Sequence, residues 1–226
     1  MLRTLISGGS LANVIIYIIS SLFVIFCTQP VHEFAHAWMA NKLGDPTARY
    51  RGRMTLNPMA HINLIGAGMI LLFGFGWAEP VPVNQMNFRR PKSDMALTAL
   101  AGPVSNVILA FICLLLGNIA VYVLSIVLPT MAVMYIWYFF SFAAQINVTL
   151  AVFNLLPVPP LDGSRILFAV LPDKYYYKLQ MYEQYVFIAV LVLCMFGAFN
   201  GIISGLSSFL INGLDFIASL PFRLFY

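Results

Sequence analysis

Charged residues are scarce in this chain: they make up 9% of its 226 residues, against about 25% in an ordinary soluble domain. Apolar residues make up 61%, and the mean hydropathy is +0.88. Such a chain has too few polar side chains to cover a water-exposed surface, and several of its apolar segments are long enough to cross a bilayer. The composition therefore excludes a soluble monomer and predicts an integral membrane protein.

Basic residues are also few. Twelve Lys and Arg stand against eight Asp and Glu, which gives a net charge of +4, and the basic residues are scattered along the chain. This pattern excludes the basic surface that nucleic-acid binding requires. It is typical of a membrane protein that keeps its basic loops on the cytoplasmic side. The first ten residues lack the features of a cleavable signal, so we expect the first apolar segment to be retained as a membrane helix.

Paired cysteines are absent. Cys27, Cys113 and Cys194 each lie inside an apolar segment, and no Cys-x-x-Cys pattern occurs. An odd and dispersed set excludes a disulfide framework. We expect these cysteines to be small core residues of helices rather than metal ligands.

The hydropathy pattern predicts an all-α polytopic membrane protein with a single domain over residues 1–226. Spans are expected over about 11–41, 95–128, 131–156 and 184–211. Pro30 lies inside the first span and should distort the helix just before the histidines, because its ring removes a hydrogen bond. Tyr175–Tyr177 and Tyr182 are typical of an aromatic belt at the membrane interface.

Residues 61–90 form a re-entrant or extended segment in this prediction. The apolar part, 61–77, holds four glycines, which disfavour a spanning helix. Pro80 and Pro82 exclude a helix interior and suit an edge strand. The flanking loops at 42–53 and 89–92 are both basic, and the positive-inside rule puts both in the cytoplasm only if the segment does not cross. Residues 32–36 and 162 then lie on that same side.

The motif His32-Glu33-Phe34-Ala35-His36 matches the H-E-x-x-H pattern. Residues four apart share one face of a helix, so both imidazoles can bind one zinc ion at about 2.0–2.1 Å. Glu33 lies about 100° around the helix from His32, which leaves it within reach of a water molecule beside the metal. Intramembrane charges cost about 2.5 kcal/mol or more each, which favours a functional site over two core histidines paired with a glutamate.

A catalytic zinc site needs a third protein ligand. The candidates are His61, Glu79, Asp94 and Asp162. Asp162 is favoured because it follows a span at matching depth and a proline-rich stretch at 157–160, and irregular backbone is tolerated there only where it lines a cavity. The alternative is that Asp162 is the N-cap of the helix that starts at Gly163.

These motifs resemble those of the site-2 protease family of intramembrane zinc metalloproteases. The resemblance rests on HEFAH in a membrane helix, NLLPVPPLDG at the end of another, and AGPVSN between them. LNPMAHINLIG, FGWAEPVPVNQMNF and Arg89–Asp94 are similar to the short bacterial and archaeal branch. Gln85-Met86 departs from the proline that relatives usually carry after the asparagine, and no PDZ or CBS module is recognisable.

The resemblance implies a core of three helices, with His32, His36 and Asp162 as ligands of one zinc ion per chain and Glu33 as the acid/base. It also implies a prokaryotic cytoplasmic membrane. Asn106 and Asn154 are candidate oxyanion donors, with plain interhelical hydrogen bonds as the equal alternative. His61 could line the site or donate to substrate, or it could be an ordinary loop histidine.

The expected substrate is a transmembrane helix, which must unwind locally to present a peptide bond. The Pro80–Phe88 stretch could offer this strand an edge. Two other classes of function stay open: a membrane metal-ion transporter that uses the same ligands, and an inactive membrane adaptor. Neither class needs Glu33 beside the first histidine, and an adaptor would be free to lose a ligand.

Overall fold

The computed structural model describes residues 10–170 and 182–223, and this part of the chain contains nine α-helices and no strand. The helices are α1 (Leu11–Phe23), α2 (Gln29–Leu43), α3 (Thr47–Tyr50), α4 (Leu64–Phe73), α5 (Pro91–Leu124), α6 (Thr130–Asn154), α7 (Asp162–Val170), α8 (Glu183–Met195) and α9 (Asn200–Arg223). The predicted all-α membrane fold is thereby confirmed. The tyrosines at 175–177 lie outside the described residues.

Four helices in the described ranges are long and apolar enough to cross a membrane: Leu11–Leu43, Pro91–Leu124, Thr130–Asn154 and Asn200–Arg223. The first three lie where the sequence predicts spans. The α5–α6 hairpin packs against α1 and α2, and a core of buried apolar side chains fills the space between them. The three cysteines are free thiols within helices; Cys113 and Cys194 are buried as expected, but Cys27 is exposed on the helix surface, contrary to the predicted core position.

The predicted single span over 184–211 is wrong. The chain instead forms α8 and α9 with a break between them at Gly197, whose φ of 81° is left-handed. The Ala198 N–H bonds to the Leu193 carbonyl at 3.0 Å, and the Gly197 N–H bonds to the Cys194 carbonyl at 2.9 Å. These two bonds form a Schellman motif, which ends α8 and redirects the chain.

The first span is continuous but distorted, as Pro30 predicts. α1 and α2 are joined by a π-helical turn over Val24–Thr28, in which the Gln29 N–H bonds back to the Val24 carbonyl. Pro30 follows in the first turn of α2, where it needs no hydrogen-bond donor. The wide turn thus lies directly before the helical turn that carries the first motif histidine.

The segment after α4 crosses the face of α2 without regular secondary structure. α4 has ten residues and a length of about 15 Å, half the hydrocarbon thickness, so it does not span by itself. Residues 78–84, called the strap here, are not paired as a strand in the described part of the chain, contrary to the predicted edge strand. Arg53 holds the strap by donating to the Glu79 and Pro80 carbonyls at 2.8 and 3.3 Å.

Asp45 ties the end of the strap to the loop after α2. Its buried carboxylate accepts hydrogen bonds from the Asn84 N–H and from the Asn87 amide, both at 2.7 Å, and from Thr47. Burial by itself raises the pKa of Asp45, but these hydrogen bonds outweigh it and hold the pKa below its ordinary value. The basic loop at 42–53 is therefore held close to the start of the basic loop at 89–92.

We expect Asp45→Asn to lower the free energy of unfolding by about 1–3 kcal/mol near neutral pH, because an NH₂ group would face donors that now have an acceptor. The stabilisation from the carboxylate is present above the unfolded-state pKa of about 3.9 and is lost as the pH falls through the lower folded-state pKa. Thermal unfolding in detergent between pH 6 and pH 3 measures this loss.

The matched control is Asp215→Asn in α9, where the carboxylate has no hydrogen bond to any described residue. The acid-dependent loss should be smaller in Asp45→Asn than in the wild type and unchanged in Asp215→Asn. An equal acid-dependent loss in Asp45→Asn and the wild type would contradict the role assigned to this carboxylate.

Candidate metal centre

Three ionisable side chains converge at the junction of α2 and α7. His32 and His36 lie one helical turn apart on α2, and their Nε2 atoms are 3.0 Å from each other. Asp162 is the first residue of α7, and its Oδ2 lies 3.5 Å from His32 Nε2 and 3.3 Å from His36 Nε2. In the described ranges this is the one cluster of three such groups close enough to share a metal ion.

The residues fit a zinc ion. Tetrahedral zinc with ligands at about 2.0–2.1 Å separates them by about 3.3 Å, and the three observed separations bracket that value. His36 Nδ1 lies 2.8 Å from the Thr98 carbonyl of α5, which can only accept, so Nδ1 carries the proton. In the neutral ring the lone pair is then on Nε2, the nitrogen nearest to Asp162, which is the tautomer that a metal ligand requires.

Glu33 faces the same space but is not part of the cluster of three. It is 6% exposed, and its Oε2 accepts a hydrogen bond of 3.2 Å from the Val81 N–H of the strap. Glu33, both histidines and Asp162 all line one cavity of about 420 Å³. The carboxylate is thus held next to the cluster by a backbone donor.

Helix α5 approaches the cluster so closely that only glycine fits at position 102. A methyl group there would meet the Cε1 atoms of His36 and His32 at 2.5 and 2.6 Å, and His36 Nε2 more closely still. Gly102 begins the AGPVSN motif's G-x-x-x-N spacing, and the glycine lets the helix backbone cover both imidazoles.

We expect Gly102→Ala to weaken zinc binding by about 10- to 100-fold, the range seen when the surroundings of metal ligands are disturbed. The added methyl group displaces both imidazoles, because the helix backbone cannot retreat from a packed interface. Zinc affinity measured by competition with a chelator tests this result.

The control is Gly117→Ala on the same helix, where the new methyl group meets Phe140 Cβ at 3.2 Å, far from the cluster. It should leave zinc affinity unchanged. Equal zinc affinities in Gly102→Ala and the wild type would show that the imidazoles do not depend on this contact.

Of the three further candidates for binding the oxyanion or the substrate, only one lines the cavity. Asn154, at the end of α6, lines the cavity and is 8% exposed. Asn106 is fully buried in α5 away from the cavity lining, and neither end of its amide has a partner among the described residues. His61 lies behind the cavity wall, where its Nε2 donates to the Thr55 carbonyl at 2.9 Å.

The remaining candidates for the third ligand do not reach the cluster. Glu79 is exposed and accepts a hydrogen bond of 3.4 Å from the Asn63 amide. Asp94 accepts from the Arg90 N–H at 2.9 Å and pairs with its guanidinium group at 3.4 Å. Asp162 is also the first residue of α7, so the same residue begins a helix and lies next to the histidines.

Sequence reasoning missed the contacts that arrange the site. The Thr98 carbonyl, Gly102 and the Val81 N–H act through backbone atoms, for which side-chain motifs give no signal. Gln29 also lines the cavity. Its spacing of three, four and seven residues from the H-E-x-x-H positions was a signal that could have found it.

A bundle of apolar helices around two buried histidines and an aspartate defines a membrane protein with a candidate metal site. The model of peptidase family M50 matches residues 17–197. The chain belongs to this family, the site-2 protease family that the motifs resemble.

Named relatives agree with this membership. The chain is 43% identical over 177 residues to "Putative zinc metalloprotease YwhC" of Bacillus subtilis, an alignment that covers 78% of this chain and 79% of that protein. It is 32% identical over 196 residues to "Putative zinc metalloprotease Rip2" of Mycolicibacterium smegmatis, covering 84% and 71%. No solved structure matches the chain. The chain is thus a membrane metalloprotease, and zinc is the metal given in the relatives' names.

Proposed function

We propose that this protein hydrolyses peptide bonds within or next to transmembrane segments of other membrane proteins, using one zinc ion per chain held by His32, His36 and Asp162. The observation that carries the proposal is the burial of His32 and His36 in the second half of a 33-residue spanning helix, next to a cavity that Glu33 and Asp162 also line. A site for soluble peptides would have no reason to lie inside a membrane helix, where ionisable groups are costly.

The chemistry follows from the positions of the side chains. A bound zinc ion supplies Lewis acidity for the scissile carbonyl and for the attacking water. The Glu33 carboxylate takes the proton from that water and passes it to the leaving nitrogen. The Val81 N–H keeps this carboxylate turned into the cavity. Asn154, whose amide lines the same cavity, is a candidate donor to the developing oxyanion.

The proposed substrate enters as an unwound strand. A transmembrane helix hides its carbonyl groups in its own hydrogen bonds, so the peptide bond becomes accessible only after local unwinding. The cavity has room for a few residues of extended chain, and the strap forms one of its walls through Pro80, Val81 and Val83. This arrangement supports the strap as a surface against which the unwound strand lies.

The test is cleavage of a transmembrane substrate co-reconstituted with the purified protein in liposomes. We expect cleavage in the presence of zinc, loss of cleavage after chelation, and recovery when zinc is restored. Passage of zinc across the vesicle membrane without cleavage would favour a transporter. Neither cleavage nor transport would favour an adaptor.

We place the centre toward the cytoplasmic side of a prokaryotic cytoplasmic membrane. The support is the contact between Asp45 and Asn87, which ties the basic loop at 42–53 to the residues directly before the basic loop at 89–92. Loops that touch lie on one side of the bilayer, and basic loops favour the cytoplasmic side.

Single cysteines in a Cys-free background should report this orientation. Arg51→Cys and Arg89→Cys, both at exposed positions, should react with an impermeant thiol reagent only in inverted vesicles. Ser125→Cys, which is exposed between α5 and α6, is the control and should react only in intact cells. Reaction of Arg51→Cys and Arg89→Cys from opposite sides would mean that the segment between them spans.

A further inference from the structure

Gln29 continues the face of α2 that carries the metal centre. It precedes His32, Glu33 and His36 by three, four and seven residues, the spacing that aligns side chains along one face of a helix. All four side chains line the main cavity, and Gln29 is 5% exposed. A polar amide therefore occupies the turn of α2 that lies deeper in the membrane helix than the centre.

The amide of Gln29 has no partner in the described part of the protein. Its Oε1 is buried without a hydrogen bond, and no described residue bonds to its Nε2. Burying an amide without a partner is unfavourable, and native structures keep such groups chiefly where function uses them. A packing role alone would be served better by an apolar side chain of the same size.

A second, smaller cavity lies between Gln29 and His61. This cavity has a volume of about 10 Å³ and is lined by both Gln29 and His61. His61 Nε2 donates to the Thr55 carbonyl, so its buried Nδ1 is an acceptor that also lacks a partner. Of the two ends of the Gln29 amide, Oε1 has essentially no accessible surface, which leaves Nε2 as the end that lines the main cavity.

We propose that Gln29 binds the unwound backbone of the substrate, with its Nε2–H donating to a peptide carbonyl next to the scissile bond. Because Oε1 is fully buried, the NH₂ group is the end of the amide that can reach the main cavity, which Glu33 also lines. An unwound transmembrane segment carries carbonyl groups that have lost their helical donors and find no water in the bilayer core. This inference rests on the proposed function, because it requires a peptide in the cavity.

The test replaces Gln29 with methionine, which has a similar length and no donor. In liposomes we expect KM for a transmembrane substrate to rise about five- to tenfold with kcat within twofold, because the bond is made in the ground state and the transition state alike. The affinity of the uncleaved substrate should fall by the same factor when Gln29→Met is added to Glu33→Gln. Zinc content should be unchanged, and the thermal unfolding temperature unchanged or higher, since a buried amide without a partner has been removed.

Gln145→Met on α6 is the matched control, because Gln145 bonds to Thr149 in the same helix and does not line the cavity. It should leave substrate affinity unchanged. If Gln29→Met fails to fold, Gln29→Asn keeps the amide but withdraws it by one methylene, and it should weaken substrate binding at least threefold.

Substrate affinity within twofold of the parent in a folded Gln29 variant overturns the inference. A lower unfolding temperature with unchanged affinity also overturns it, by assigning Gln29 a structural role. If the wild type binds but never cleaves transmembrane substrates, the proposed function fails, while the binding comparison still decides the role of Gln29.

Discussion

We expect Glu33→Gln to lose peptide cleavage by a factor on the order of 10²–10⁴ while it retains the fold and its zinc. Glutamine has the size of glutamate, and its amide oxygen can still accept the hydrogen bond that Val81 donates to Glu33. The amide cannot take a proton from water, so only the proton transfer is removed. Initial rates on a co-reconstituted transmembrane substrate, measured alongside zinc content, test this expectation.

The control is Glu79→Gln, the same exchange at an exposed residue of the strap that lies outside the cavity lining. It should cleave at nearly the wild-type rate. Unchanged proteolysis in Glu33→Gln contradicts the general-base role. Loss of zinc together with activity would instead make Glu33 a structural residue of the metal centre.

The composition predicts a membrane fold, but it does not predict how the last two helices are divided. Long apolar segments predict the first three spans, because a helix that crosses lipid needs about 20 apolar residues and few other structures contain such a long apolar segment. Hydropathy wrongly predicted one span over residues 184–211, because it depends on side-chain composition and contains no information on the backbone conformation. Gly197 adopts a left-handed φ, and the Schellman bonds around it end α8.

The two histidines and the glutamate follow from local geometry, because positions four apart on a helix meet whatever the rest of the fold does. Asp162 required an argument from depth in the membrane, and the structure brings its carboxylate to 3.3 Å from His36. The close cover by Gly102 depends on how α5 crosses α2. A sequence shows that residue 102 is small but not which side chains its small size accommodates.

For the strap, the sequence excludes the wrong structure but does not predict the hydrogen bonds that form. Pro80 and Pro82 correctly exclude a helix interior, and the sequence predicts an extended edge strand here. The predicted edge strand did not form in the described structure, because most of the strap's backbone hydrogen bonds go to single side chains, and the Glu79 N–H makes one isolated bond to the His61 carbonyl. Glu33 and Asp45 accept from Val81 and Asn84, and Arg53 donates to two of its carbonyls.

We expect the purified wild-type protein to bind one zinc ion per chain and His32→Ala/His36→Ala to bind almost none. The double variant leaves Asp162 as the single ligand, and one carboxylate cannot supply the three-ligand set that a catalytic zinc site needs. Asp162→Asn should weaken zinc binding by about 10-fold or more, because a neutral amide oxygen replaces a charged ligand. Elemental analysis after gel filtration, with thermal unfolding as the check on folding, measures all three proteins.

His61→Ala is the matched control, because it removes the chain's remaining histidine, which lies behind the cavity wall and outside the cluster. It should keep its zinc even if the loop that His61 bonds to is loosened. Near-stoichiometric zinc in a folded His32→Ala/His36→Ala protein would place the metal elsewhere. Loss of zinc in His61→Ala without unfolding would add His61 to the ligand set, although no other candidate ligand contacts its ring in the described structure.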